Sequence, residues 1–306
     1  MSDTYEKQFD VLTASDMCVD LALCGNVRPK FSQVEQLIDD YHLDLGGSAN
    51  IFAAQIAKLG GRSGVIGHVG ADAFGQFALK RIADNGINTD YVKTRQELRT
   101  GLGTHLVATD DRAILTYAGT IDSLSPDDFD TAMLDSTRHW HIASFFLLTK
   151  LSKFWQQWIA AARERGVTVS LDTNWDPARQ WQGVTELLPI IDVFLPNEAE
   201  ACAIAKTDDP VAAGQWLSEK GPLTVVKMGE AGAKAFDNGR AIHSPVRGNV
   251  KVTDTIGAGD SFDGGFIHAW LQNHDIESCL ELATDCGMAN VQGRGGFESQ
   301  HTVATS

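Results

Sequence analysis

From Arg138 onward, short apolar runs alternate with stretches whose apolar residues recur every three or four positions. HWHIASFF, VTVSLDTN, DVFLPN and LTVVKMG read as strands, and LSKFWQQWIAAARERG, EAEACAIA and PVAAGQWLSEKG as helices. In the first of those helices Leu151, Phe154, Trp155, Trp158, Ile159 and Ala162 make one broad apolar stripe, so its tryptophans belong to a core. Strand and helix in turn predict a parallel sheet covered by helices. The N-terminal half starts the same way, with a strand at Phe9–Ser15, a helix over IFAAQIAKLG, a buried strand in RSGVIGHVG and a helix in DAFGQFALKRIADNG that Gly86 stops. Two segments depart from this order. Residues 21–45 hold strands and loops without a helix, and residues 101–120 read as a hairpin turning at Asp110-Asp111. Together they predict a small β lid, built from about residues 12–45 and 100–120, over a single domain spanning 1–306.

Composition narrows the class. The hydrophobic fraction of 43% and charged fraction of 21% are those of an ordinary globular protein. A formal net charge of −15 repels phosphate backbones and anionic lipid, so neither nucleic acid nor membrane is expected as a partner. Any anionic ligand needs main-chain amides, a metal or a few placed cations. The opening MSDTYEKQFDVL lacks the basic stretch and apolar run of a secretory signal, and a cytoplasmic location is expected. Five cysteines without a C-x-x-C pair predict reduced thiols, and the nine histidines show no metal-site spacing.

One local pattern supplies an anion site. In VTDTIGAGDSFDGGF, Val252–Phe266, a strand end passes through Gly257-Ala258-Gly259 into a helix with Phe262, Phe266, Ile267 and Trp270 on one side. A small-residue turn at a helix N-terminus leaves amide hydrogens unpaired beside the positive end of the dipole. Asp260 follows at once, suited to take a proton from an attacking hydroxyl, although a helix cap uses the same residue type. No G-x-x-x-x-G-K-[ST] occurs, and Phe262 stands where a dinucleotide fingerprint needs its third glycine.

These residues resemble the ribokinase-like, or PfkB, family of carbohydrate kinases. DTIGAGD, Asp254–Asp260, is similar to its C-terminal signature, and GG…KLGG…GHVGADAFG between Gly46 and Gly75 to its N-terminal one; the likeness runs from Asp20 to Gly296. It implies a three-layer α/β/α fold with a mainly parallel central sheet and a β-sheet lid. It implies ATP-dependent phosphorylation of a sugar-like hydroxyl, with Mg²⁺ and K⁺ as cations; the exposed strands of the expected lid invite pairing with a second subunit, so a homodimer is expected. The resemblance implies Asp260 as catalytic base, with the amides of Gly257, Ala258 and Gly259 holding the migrating phosphoryl group. Asp20, Gly46, Gly47 and Asn50 fall on the substrate side. Asn197, Glu200, Lys227, Gly229, Gly232 and Thr255 fall on the nucleotide side, Glu200 reaching Mg²⁺ through water. Asp254, with main-chain oxygens near Ile256 and Gly295, matches a monovalent-cation loop. Two positions depart from the pattern. Ile51 stands where the family's substrate-binding asparagine is expected, with Asn50 one place earlier and about 100° away around a helix. Ser15 stands where glycine is common. Both lie on the substrate side, so a nucleoside kinase and a non-catalytic sugar sensor stay open beside a sugar kinase. Asp172 or Asn174 of DTNWDP offers further hydroxyl contacts or a plain turn.

Overall fold

The computed structural model describes residues 7–303; the opening Met1–Glu6, from which the absence of a secretory signal is read, lies outside them. The chain begins with β1 (Phe9–Ala14), β2 (Cys18–Cys24), β3 (Asp40–Gly46), α1 (Ser48–Lys58), β4 (Ser63–Gly70), α2 (Ala73–Asp84) and β5 (Asn88–Arg95). A hairpin of β6 (Gly101–Val107) and β7 (Arg112–Tyr117) leads to α3 (Thr131–Ser136), β8 (Thr137–Ile142), α4 (Phe154–Glu164), β9 (Thr168–Leu171), α5 (Val184–Leu187) and β10 (Val193–Phe194). Then come α6 (Glu198–Ala205), α7 (Pro210–Ser218), β11 (Leu223–Lys227), β12 (Ala233–Asp237), β13 (Arg240–Ser244), α8 (Ala258–Leu271) and α9 (Ile276–Asn290).

Nine of these strands form one sheet in the order β13-β12-β11-β10-β9-β8-β1-β4-β5. It is parallel from β11 to β5, with the β12–β13 hairpin added antiparallel at one edge. Helices cover both faces, which is why every residue of β4 is buried. Along a strand successive side chains serve opposite layers. Leu12 and Val226 join the core beneath α3 to α7, whereas their neighbours Val11 and Val225 join the one beneath α1, α8 and α9. The stripe on α4 is core as its spacing requires, with Trp155, Trp158, Ile159 and Ala162 buried.

A second sheet has the order β3-β2-β6-β7, with β2 and β6 parallel and both outer pairs antiparallel. It draws on Cys18–Gly46 and Gly101–Tyr117; residues 12–14, expected with the lid, belong to β1 of the large sheet. DVFLPN is a strand only over Val193–Phe194, because Pro196 has no amide to give and the chain turns there into α6. β5 and the β12–β13 hairpin escape a periodicity reading: they lie at the sheet edges, where few side chains need be apolar. No helix among the described residues is long and apolar enough to cross a membrane.

α8 carries the signature turn, and its seat is set by small residues. A Cβ on Gly264 would lie 2.7 Å from Gln55 Cβ of α1, and one on Gly265 only 3.0 Å from Ala283 Cα of α9. Gly265→Val is therefore expected to lower unfolding stability by about 1–3 kcal/mol through overpacking. A denaturant midpoint equal to that of the parent chain would show that α8 and α9 have slack.

Candidate active site

Gly257 caps α8 with a left-handed φ of 74°, which disfavours any side chain. Space forbids one as well, since a Cβ there would come within 2.9 Å of both Ile51 Cγ2 and Gly296 Cα. The residue at the family's asparagine position thus packs beneath the turn. Among the described residues the amides of Gly257, Gly259 and Asp260 have no acceptor, while that of Ala258 makes a long 3.4 Å contact with the Thr255 carbonyl. Three free N–H groups at the start of a four-turn helix are a seat for an anion.

Below this turn lies a buried ion cluster. Lys227, the last residue of β11, donates from Nζ to Asp172 Oδ2 at 2.7 Å and to Asp263 Oδ2 and Oδ1 at 2.9 and 3.1 Å. A Cβ on Gly259 would sit 3.5 Å from that ammonium. Burial opposes ionisation of Asp172, but the Lys227 charge wins and holds it down at about 2. Burial pushes Asp263 well up, and for Lys227 the two aspartates outweigh burial and keep its proton on. Asp260 is half-buried at the end of this cluster. Loss of solvent pushes its carboxyl up to about 7; the Asp172 charge adds to the rise, Lys227 opposes it, and Asp16 adds to it again.

Asn197 and Glu200 form a reciprocal cap on α6: Glu200 N donates to Asn197 Oδ1 at 2.9 Å and Asn197 N to Glu200 Oε2 at 3.0 Å. Burial first, and Asp172 second, push Glu200 up to about 7. The KMGEAG segment turns in a short 3-10 helix at Gly229–Ala231, closed by Met228 N donating to Gly232 O at 2.8 Å. Asp254 takes amides, not carbonyl oxygens: Ile256 N at 3.1 Å and Gly295 N at 3.0 Å. It thereby ties the loop before α8 to the loop after α9. Thr255 is exposed beside it.

The substrate-side residues gather around the start of α1. Asn50 is fully buried and bonded to Gly46 O at 2.7 Å and Ser15 Oγ at 2.9 Å, so it braces the Gly46-Gly47 turn from behind. The two departures from the family pattern, Ser15 and the shifted Asn50, are partners of one another. Asn174 bridges Ser48 Oγ at 2.9 Å and Ser144 N at 2.7 Å, joining the loop after β9 to α1. Asp16 is buried here, pushed up to about 6 by loss of solvent, with one oxygen, Oδ1, lacking a hydrogen-bond partner. Asp20 lies on β2 in register with Asp44 and Gly103, its carboxylate 3.2 Å from His105 Nε2.

Sequence reasoning passed over Asp263 and His105, and noted Asp16 only as a carboxylate at a strand end without giving it a role. A carboxylate three residues after Asp260, in a helix otherwise of Phe, Gly and Ile, was a visible signal for the first. For His105 the signal was a ring that follows two alternate glycines on one strand face.

Known proteins share the fold and the family signature. The pfkB family carbohydrate kinase profile matches residues 12–303. An ATP-dependent ribose-1-phosphate kinase of Halopiger xanaduensis is 32% identical over 84% of this chain and 83% of its own, and a deoxyribokinase of Salmonella typhi is 28% identical over 96% of each. Among solved structures, Arabidopsis thaliana ribokinase complexed with ribose and ATP superposes with a TM-score of 0.82 at 23% identity over 96% of both chains. Thermotoga maritima ribokinase gives 0.81 at 22% identity, again over 96% of each. With its glycine turn, its sheet order and nearly its whole length accounted for, this chain belongs to the pfkB family of carbohydrate kinases and is a sugar phosphotransferase of ribokinase-like fold.

Proposed function

We propose that the chain moves the γ-phosphoryl group of ATP to a hydroxyl of a sugar or sugar-like molecule, with Asp260 as general base and the Gly257-Ala258-Gly259 turn as anion hole. The observation that carries this reading is the pairing of unsatisfied amides on Gly257, Gly259 and Asp260 with a half-buried carboxyl whose affinity for a proton is raised to about 7. The relatives named for ATP-dependent ribose-1-phosphate and deoxyribose phosphorylation support it.

In the step, Asp260 takes the hydroxyl proton and the freed oxygen bonds to the γ-phosphorus. The bond from that phosphorus to the β,γ-bridging oxygen breaks, and ADP leaves. The free amides meet the charge on the equatorial oxygens as it is displaced. Asp20 orients the acceptor, and the small sheet shields the reaction from water. Among the described residues no three acids converge to grip a bare cation, so Glu200 would hold Mg²⁺ through water, and when bound it would neutralise phosphate charge. Gly229, Gly232 and Thr255 would line the nucleotide. Lys227 we assign to tuning Asp260 from below, because its three hydrogen bonds all go to carboxylates. Asp254 would steady a monovalent cation beside the Ile256 and Gly295 loops. The exposed outer strand β7, with Ile114, Leu115 and Tyr117 uncovered, is where we place a second subunit.

A coupled assay over free sugars, sugar acids, polyols, amino sugars and nucleosides identifies the acceptor, and turnover of none would end this reading. Asp260→Asn is expected to fold yet lose about 10²–10⁴-fold in kcat; a parental rate would remove Asp260 from the chemistry. The base must be ionised, so kcat/KM should fall about tenfold per pH unit below about 7. Lys227→Met removes a cation that favours the ionised base and should move this limb to higher pH, while Asp172→Asn should move it lower. Limbs that stay in place in both variants would refute the tuning. Rates should be higher in K⁺ than in Na⁺ at equal ionic strength, and equal rates would dismiss the Asp254 cation loop.

A further inference from the structure

On the face of the small sheet that carries Asp20, the carboxylate has Asp44 opposite it on β3 and a glycine on each flanking strand. Gly46 on β3 and Gly103 on β6 flank β2, and a Cβ would lie 2.8 Å from Asp20 Oδ1 at Gly46 and 2.4 Å from it at Gly103. The carboxylate therefore lies across the sheet in space that only glycine neighbours leave. One side chain reaches it there, His105, two positions beyond Gly103 on the same face of β6, with Nε2 3.2 Å from Asp20 Oδ1.

The other ring nitrogen is the informative one. His105 is 7% exposed, and its Nδ1 is shut off from solvent with no hydrogen-bond partner among the described residues. Its neighbours in register are Ala22 on β2 and Ile114 on β7, neither of which carries a polar side-chain atom. A carboxylate oxygen only accepts, so the Asp20 contact places a proton on Nε2 and, in the neutral ring, leaves Nδ1 as a bare acceptor. A buried acceptor without a donor is a costly arrangement unless something arrives to satisfy it. Thr116 of β7, opposite Gly103, carries a hydroxyl on this face, yet it makes no hydrogen bond to Nδ1.

We propose that His105 is a specificity-determining residue whose Nδ1 accepts a hydrogen bond from one hydroxyl of the acceptor sugar while Asp20 accepts from another. The pair reads two hydroxyls on one edge of the acceptor and disfavours acceptors lacking either of them. Asp20 has a second role in fixing the ring tautomer, and Gly46 and Gly103 keep the ground between them open. This rests on the sugar-kinase reading above and names the part of the acceptor that the small sheet recognises.

The test uses the full chain with ATP, the acceptor found by the coupled assay, and that acceptor's mono-deoxy forms; D-ribose and 2-deoxy-D-ribose are the first pair. His105→Leu keeps an apolar fill but removes the acceptor atom. It should raise KM for the sugar about tenfold or more while kcat falls less than threefold and KM for ATP stays put. For one deoxy form the same substitution should change KM little, because the hydroxyl that His105 meets is already gone. His105→Gln, which returns an acceptor oxygen, should recover part of the loss. A sugar that is phosphorylated with the same KM by parent and His105→Leu overturns this inference alone. So does a loss spread equally over KM, kcat and every deoxy form, which marks a structural defect. A chain that phosphorylates no acceptor overturns the kinase reading and this inference with it.

Discussion

Where the parallel strands end and α8 begins, the carboxyl groups of Asp172, Glu200, Asp260 and Asp263 gather around the ammonium of Lys227, and Asp16 stands beyond them beside Asp260. Removing that cation would leave the buried acids without a counter-charge, and a buried charge without a partner is among the most costly defects a fold can hold. The hydrogen bonds of Lys227 join β9, through Asp172 just beyond its end, to α8, through Asp263. The same contact seats the helix whose free amides and first-turn carboxyl make the site. Burial is the main reason the proton affinity of Asp260 is raised, and the ion cluster adjusts it, Asp172 upward and Lys227 downward.

The glycines around the site act by leaving room. Gly257 lets the turn rest on Ile51 and Gly296, and Gly264 and Gly265 let α8 approach α1 and α9. Gly46 and Gly103 let the Asp20 carboxylate lie across the small sheet. Each is a place where a backbone or a side chain occupies the space a Cβ would fill, and together they set how closely the Gly257 turn, α8 and the small sheet pack around Asp260 and Asp20.

Much of this was legible in the residues. Apolar periodicity placed α1, α2 and α4, because a helix packed on a sheet repeats its apolar residues at its own period, and a continuous buried run placed β4. DTIGAGD announced a helix start with free amides, because small residues before a helix have few other uses. The strands β5, β12 and β13 were not legible: β5 and β13 are edge strands, where few side chains need be apolar, and β12 buries only the short run of Ala233, Ala235 and Phe236. Asn50 was read as displaced from its family role, and its bonds to Ser15 and Gly46 give that displacement a structural reason.

By itself the sequence determined an α/β protein with a helix-borne anion seat and an adjacent carboxylate, since both follow from spacing within a few residues. Only the tertiary structure decided that Lys227 faces Asp172 and Asp263, that Asp16 keeps an unpartnered oxygen, and that His105 lies against Asp20. Those pairs are separated by tens of positions along the chain, and groups so far apart meet only where sheet register and helix packing bring their strands and turns together.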